Sequence, residues 1–513
     1  MSSFLKPTSR RAGVAGVWSA AALLLSVLAA GPVAGQEADG EFEGETEYVA
    51  KDGTRREIKE PSSKDRRKVI DLFNQGKSSN KDEEQAFEDL AHYYVYALTW
   101  KKNISTLADR RKDLKNKWLV PSGQRNRTVT DLHKRLNELT LTTCRQVAED
   151  PKYPRAIRYG CVLMIAELDA QEIQPGVSAP VPLPEATTAL MEIVADAKQH
   201  LAMRICAIIG LKRHTQFGIA APLQPQIADV MLGIIEKPVG EGKDRIGQTW
   251  LRLVAADLLQ AMIAKEIAVD QPKAAASLIA LIGDDTLPNW ARAKFAGDLG
   301  HLDGKSVQGA AVPSAVRALA GLMLAVSQAS PFLPDESAEE EDAEQEKDEG
   351  DKKKDDKKKD DKKKDGEKDE EKKKEKEEVS PAVQKASSEE MLWQLSQIRM
   401  ALFGKEAATS RETGPDSFSG LDVTADDATK ATIVKIVKHI DDIVKSLANP
   451  KTLGDPKALQ KLGDVLATAN QDLEAVLSSP VAEEAQAAKA PPPGTARPRP
   501  QGNAPAGESK VSE

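Results

Sequence analysis

Aromatic residues are scarce, at 4% of 513 residues against 40% hydrophobic overall. A core made by this chain is therefore built mainly from Ala, Leu, Ile and Val, and the regular alternation of Val, Ile, Thr and aromatic residues that a large sandwich or barrel needs is missing. The fold class that remains is all-α. Cysteine is nearly absent too. Cys144, Cys161 and Cys206 are an odd number, which excludes a closed disulfide framework, and each lies in an apolar helical context where a free thiol packs as a small hydrophobe. His92, His133, His200, His214, His301 and His439 never fall at the short spacing that places two ligands on one helix face, and no cysteine pairs complete a zinc set, so no metal site is expected. No Gly-x-Ser-x-Gly elbow occurs. The stretch "GKDRIGQT" (242–249) imitates the spacing of a phosphate-binding loop, but Gln248 stands where its Lys is required and no strand precedes it. No catalytic residue and no cofactor is expected from these patterns.

The chain also lacks a net positive segment. Its most biased stretch, "DKKKDDKKKDDKKKDGEKDEEKKKEKEE" (351–378), looks basic at first sight. Residues 335–378 nevertheless hold 15 Lys against 23 acidic residues, which accounts for the whole net charge of −8. A nucleic-acid arm needs the opposite sign to displace counterions, so no nucleic-acid partner is expected. A single rigid helix is disfavoured by like charges four apart, by Asp and by Gly350 and Gly366. Residues 335–385 read as a disordered charged insertion.

A targeting pattern occupies the first 35 residues. Lys6, Arg10 and Arg11 precede a nearly uncharged run over residues 12–30, and Val33, Ala34 and Gly35 offer small residues for cleavage before Gln36. The expectation is a signal peptide (1–35) and a chain secreted or held in the periplasm or cell envelope, with no integral membrane span after cleavage. Membrane anchoring by an uncleaved signal is the alternative. Residues 36–60 are acidic without apolar periodicity and read as a disordered segment.

Helical periodicity begins after residue 61. Phe87, Leu90, Ala91, Tyr94, Val95 and Leu98 recur at steps of three and four, giving N-terminal helices over 61–127. From 128 onward a unit repeats. "IRYGCVLMIAEL", "MRICAIIGLKRH", "LRLVAADLLQAM" and "ARAKFAGDLGHL" each place an Arg at the same point of an apolar pattern, and Arg158, Arg204, Arg252 and Arg292 are 46, 48 and 40 residues apart. An amphipathic helix precedes each, at 128–149, 185–198, 223–236 and 273–283. A period near 40–47 residues is that of two-helix repeats, which bury their apolar faces by stacking.

The second helices resemble those of HEAT repeats, "ARAKFAGDLG" (291–300) most closely, over roughly 128–330. That resemblance implies a HEAT-like α-solenoid of helical hairpins over 128–334 and the function common to such solenoids, a non-enzymatic protein-binding scaffold, here of the cell envelope or extracellular space, with a protein partner. Two alternatives stand beside it: a HEAT-like lyase-type enzyme, and an envelope structural or spacer protein. The four arginines have two readings. On a concave groove they bind carboxylates of the partner as bidentate forks; inside the fold they bond a neighbouring Asp or a helix-end carbonyl and tie repeats together.

Residues 386–480 form C-terminal helices. Ile433, Ile436, Val437, Ile440, Ile443, Val444 and Leu447 make one apolar stripe, entered through Thr424 and Asp427 at capping-box spacing, and Asp455 with Pro456 starts a partner helix. Together they read as a helical hairpin. Residues 313–329 and 389–404 are each apolar on one face with no neighbour in sequence, so they are expected to pair as a last unit around the insertion. The Pro- and Ala-rich tail, 481–513, is expected to be disordered.

Overall fold

The structure is a computed structural model that describes residues 41–50, 53–75, 80–119, 130–174, 176–237, 245–307, 311–332, 381–409, 420–448 and 455–478. The expected signal peptide, the charged run to residue 380 and the terminal tail lie outside the described residues.

The described chain is all-α apart from two short two-stranded ribbons. Its helices are α1 (Ser63–Gln75), α2 (Lys81–Tyr96), α3 (Leu107–Asp113), α4 (Asp131–Glu149), α5 (Arg155–Ala166), α6 (Pro184–Ala195), α7 (Leu201–Phe217) and α8 (Gln224–Glu236). They continue with α9 (Arg245–Ile263), α10 (Gln271–Gly283), α11 (Asn289–Leu299), α12 (Ala311–Gln328), α13 (Pro381–Thr409), α14 (Asp427–Ala448) and α15 (Pro456–Ser478). Local chemistry sets many of the starts. Asn80 Oδ1 accepts the Glu83 N–H at 2.9 Å, Thr130 Oγ1 the His133 N–H at 3.2 Å, and Asp270 Oδ1 the Lys273 N–H at 3.1 Å, each satisfying an N–H that the first turn leaves open.

Four successive pairs, α4 with α5, α6 with α7, α8 with α9 and α10 with α11, pack helix on helix. The second members α5, α7, α9 and α11 also touch in series, and α13 continues that row against α11. The first members α6, α8 and α10 touch likewise, and α12 continues their row. The α11–α13 crossing is very close. A Cβ at Gly297 would strike the Gln397 side chain, and one at Gly300 would strike the Met400 carbonyl, so two glycines in "ARAKFAGDLG" serve backbone approach. Helix α12 is apolar enough to cross a membrane, at mean hydropathy 1.3 over 18 residues. Its buried side chains, among them Leu319, Leu322 and Met323, instead face α10, α13 and α15 in the core.

Three local expectations need correction. Residues 41–50 and 53–60 are not disordered: β1 (Glu47–Val49) and β2 (Arg55–Glu57) form an antiparallel ribbon, with Val49 opposite Arg55. Tyr48 anchors it by stacking on His92 at 3.8 Å between centroids and donating its hydroxyl to Asp89 Oδ1 at 2.6 Å. One buried aromatic side chain orders a segment whose average composition is polar. The cap of α14 is Asp426, whose Oδ1 accepts the Thr429 N–H at 2.7 Å; Thr424 donates instead to the Val307 carbonyl at 3.2 Å. Helix α13 starts at Pro381, inside the span read as disordered. At α15 the cap is as read, with Asp455 Oδ1 accepting from Lys457 N at 3.0 Å.

Candidate functional site

The four repeated arginines occupy equivalent places. Each lies in the first half of a second helix, where the preceding helix ends, and all are buried. Arg158 Nε donates to the Ala148 carbonyl at 3.0 Å, Arg204 Nε to Val194 at 2.8 Å and Arg292 Nε to Ile282 at 2.8 Å, always ten residues back. Those carbonyls belong to the last turn of α4, α6 and α10, which has no intrahelical donor. Arg252 departs from the spacing: its Nη2 donates to the Lys237 carbonyl just past α8, and its Nε and Nη1 have no partner among the described residues. Burial pulls the pKa of Arg204, Arg252 and Arg292 below the ordinary arginine value, opposed by Asp196 for Arg204, by Asp284 for Arg252 and by Asp285 and Asp284 for Arg292.

The guanidiniums of Arg158, Arg204, Arg252 and Arg292 therefore lie inside the fold and bond the chain's own backbone. The helix-end carbonyl is the partner, but inside one helix pair rather than between neighbours. Arg158 alone also reaches the turn of the next pair, through Nη2 to Gln199 Oε1 at 3.3 Å.

A second repeated residue escaped the sequence reading. Asp150, Asp196 and Asp284 are the C-caps of α4, α6 and α10, each eight residues before its arginine. Each Oδ1 accepts the N–H two residues on, from Lys152 at 2.9 Å, Lys198 at 2.9 Å and Thr286 at 3.0 Å, folding the turn that aims the second helix back along the first. The Asp-x7-Arg spacing was available in the sequence; the equivalent Asp244 lies outside the described residues.

Two charge networks tie elements of the fold together. Asp169, nearly inaccessible, binds Arg213 of α7 at 2.7 Å and Lys115 at 2.9 Å, while Asn137 of α4 donates to its carbonyl at 2.9 Å. This pins the ribbon of β3 (Asp169–Gln171) and β4 (Val181–Pro182) against α4 and α7. His214 beside it bonds Thr187 Oγ1 at 2.8 Å and the Ala166 carbonyl at 3.1 Å, and burial, aided by Arg213, lowers its pKa to about 4.

Farther along, Lys212 of α7, Asp257 of α9 and Lys294 and Asp298 of α11 alternate in sign, with Lys294 Nζ at 2.6 Å from Asp257 and 2.5 Å from Asp298. Burial pushes the Asp298 carboxyl up to about 7 in spite of Lys294, while Lys294 and Lys212 outweigh burial at Asp257 and lower it. Both networks join the chain's own groups, though Asp298 Oδ2 and Asn137 Oδ1 have no hydrogen-bond partner among the described residues.

The three cysteines are free, Cys144 and Cys161 fully buried and Cys206 partly so. A hydrogen bond to Cys161 and burial hold the Cys144 thiol well above the usual thiol range, which makes it a poor nucleophile. Among the described residues no group of three His, Cys, Asp or Glu side chains is placed to hold a metal ion.

A cleft of about 580 Å³ lies between the β1–β2 ribbon, the end of α2 and the end of α4. Tyr48, Tyr96 and Tyr153 line it with Val49 and Val147, and Glu45, Glu47, Arg55, Asp150 and Lys152 stand at its rim. Its walls are tied from several sides. Trp100 Nε1 donates to the Glu45 carbonyl at 2.8 Å, Phe42 meets Tyr153 edge to face at 5.0 Å, and Lys152 lies 4.5 Å over the Phe42 ring. Burial raises the pKa of Tyr96 and Tyr153, and the Glu45 carboxylate adds to both. The cleft is therefore an aromatic surface with a rim of mixed charge. Apolar periodicity, the signal followed in the sequence, does not mark it.

No family, no curated protein and no solved structure matches this chain.

Proposed function

We propose that the chain is a non-enzymatic protein-binding scaffold of the cell envelope or extracellular space, built as a HEAT-like solenoid of helix pairs. The observation that carries the reading is the repeated buried arginine, bonded to the closing turn of the helix before it in four successive pairs. A tie repeated in this way makes each pair a unit of the same shape. Units of the same shape that also touch first helix to first and second to second generate a stacked array with long continuous faces, the kind of surface on which solenoids hold other proteins. The resemblance of 291–300 to HEAT second helices supports the same reading.

Affinity capture with the full chain, against envelope and secreted fractions, tests it. A protein retained by the wild-type chain and rebound when both are purified supports the scaffold. A chain that purifies with a bound small molecule and retains no protein would point to the enzyme alternative instead.

A further inference from the structure

The ribbon that walls the cleft has one open edge. In an antiparallel pair the residues that exchange hydrogen bonds alternate with residues whose N–H and C=O point the other way. Ala50 N donates to the Thr54 carbonyl at 2.9 Å and Ile58 N to the Thr46 carbonyl at 2.8 Å, and Tyr48 stands opposite Arg56 between them, so the even residues of β1 face β2. Glu47 and Val49 therefore direct two donors and two acceptors away from β2, and no backbone group of the described residues meets them. Both residues line the cleft, and the Val49 side chain is 64% exposed. Ahead of β1 the segment is already held: the Glu45 carbonyl takes the Trp100 indole N–H and the Glu43 carbonyl the Lys101 N–H. An unpaired edge beside a pocket of 300–1,000 Å³ is the arrangement that receives an added strand.

The rim carries both signs, and its free carboxylate lies at Glu47. Glu45 and Asp150 share Lys152, at 3.6 and 3.3 Å. Glu47, by contrast, has no ion-pair partner among the described residues, while Glu57 opposite it is paired with Lys59 and Arg55 stands opposite Val49. The inner wall offers tyrosine faces and Val147. We propose that this cleft binds an extended segment of a partner protein that adds as a strand to the β1 edge, with a basic side chain toward Glu47 and apolar side chains at alternate positions against Tyr48, Tyr96 and Tyr153. The proposal rests on the scaffold reading and names the class of partner that one surface of the scaffold takes.

A phage-displayed library of random dodecapeptides, selected on the full chain, supplies the probe. Enriched sequences should place Lys or Arg between apolar residues two apart. Their synthetic peptides should bind at least about tenfold more weakly to Val49→Pro, which removes an edge N–H not used by β2 and is tolerated on an edge strand, and more weakly to Glu47→Gln. Methylating alternate backbone amides of a selected peptide gives a second readout on the unaltered chain: one alternate set should abolish binding and the other should leave it. No enrichment, equal binding to a folded Val49→Pro chain, or equal loss with both methylated sets would overturn the cleft. A captured protein that binds undiminished in the presence of saturating peptide would also overturn it, while leaving the scaffold reading in place.

Discussion

Replacing Arg292 with Ala removes a side chain that is 5% exposed and whose Nε donates to the Ile282 carbonyl at 2.8 Å. Three losses follow. A buried hydrogen bond from a charged donor contributes about 1.5–3 kcal/mol, and the carbonyl left behind belongs to a helix end with no other donor. The buried methylenes add roughly 0.8 kcal/mol each. Against these stands the cost of burying the guanidinium itself, visible in its lowered pKa, which the Ala variant no longer bears. The net expectation is a loss of about 2–4 kcal/mol. At roughly 2–4 °C per kcal/mol for a domain of this size, thermal unfolding followed by far-ultraviolet circular dichroism should shift down by about 4–16 °C. Arg292→Lys should lose most of the same amount, because an ammonium on a flexible stem does not reproduce the Nε geometry. Arg145→Ala, at a half-exposed ion pair with Glu149 and Glu192, should change stability by less than about 0.5 kcal/mol. An Arg292→Ala chain that melts with the wild type would refute the tie and return the arginines to a surface role.

Three further outcomes are expected. Asp298→Asn tests the buried network through pH: the folded carboxyl keeps its proton up to about 7 against an ordinary 3.8, so its contribution is present at low pH and is lost as pH rises through that window. His92 and His214, both lowered to about 4, act in the opposite direction, their contribution being present above about 6.5 and lost as pH falls toward 4. The stability difference between Asp298→Asn and wild type should therefore grow in favour of the variant from about pH 4 to about pH 7 in denaturant titrations, and a flat difference would contradict the assignment. Gly300→Ala should destabilise the chain by about 1–3 kcal/mol through collision with the Met400 carbonyl, whereas Gly233→Ala, which opens onto free space in the middle of α8, should stabilise it by about 0.5–1 kcal/mol. After proteolysis within residues 351–378, the two fragments should co-purify, because α12 and α13 pack on each other and α15 on α12; free separation would contradict that packing.

The helices were legible where a periodic apolar face decides the matter. The first members were read at 128–149, 185–198, 223–236 and 273–283, and the structure has them at Asp131–Glu149, Pro184–Ala195, Gln224–Glu236 and Gln271–Gly283. What stayed hidden depends on contacts distant in sequence. The ribbon at 47–57 is ordered by Tyr48 on His92 and Asp89, about forty residues away, and no local pattern announces such a pairing. The arginines were found by their spacing, but spacing does not tell a groove from an interior. The deciding partners are backbone carbonyls, which every residue has. Asp150, Asp196 and Asp284 lie in the turns, which apolar repetition does not mark.

The scaffold reading is tested most directly by measuring binding between the purified full chain and the protein it retains, by calorimetry, with hydrogen exchange recorded on the complex. Saturable binding is expected, with protection falling on one continuous face of the helix pairs or on the β1 edge and the buried arginine turns unchanged. Turnover of a small molecule by the purified chain, with no protein bound and no protected face, would contradict it.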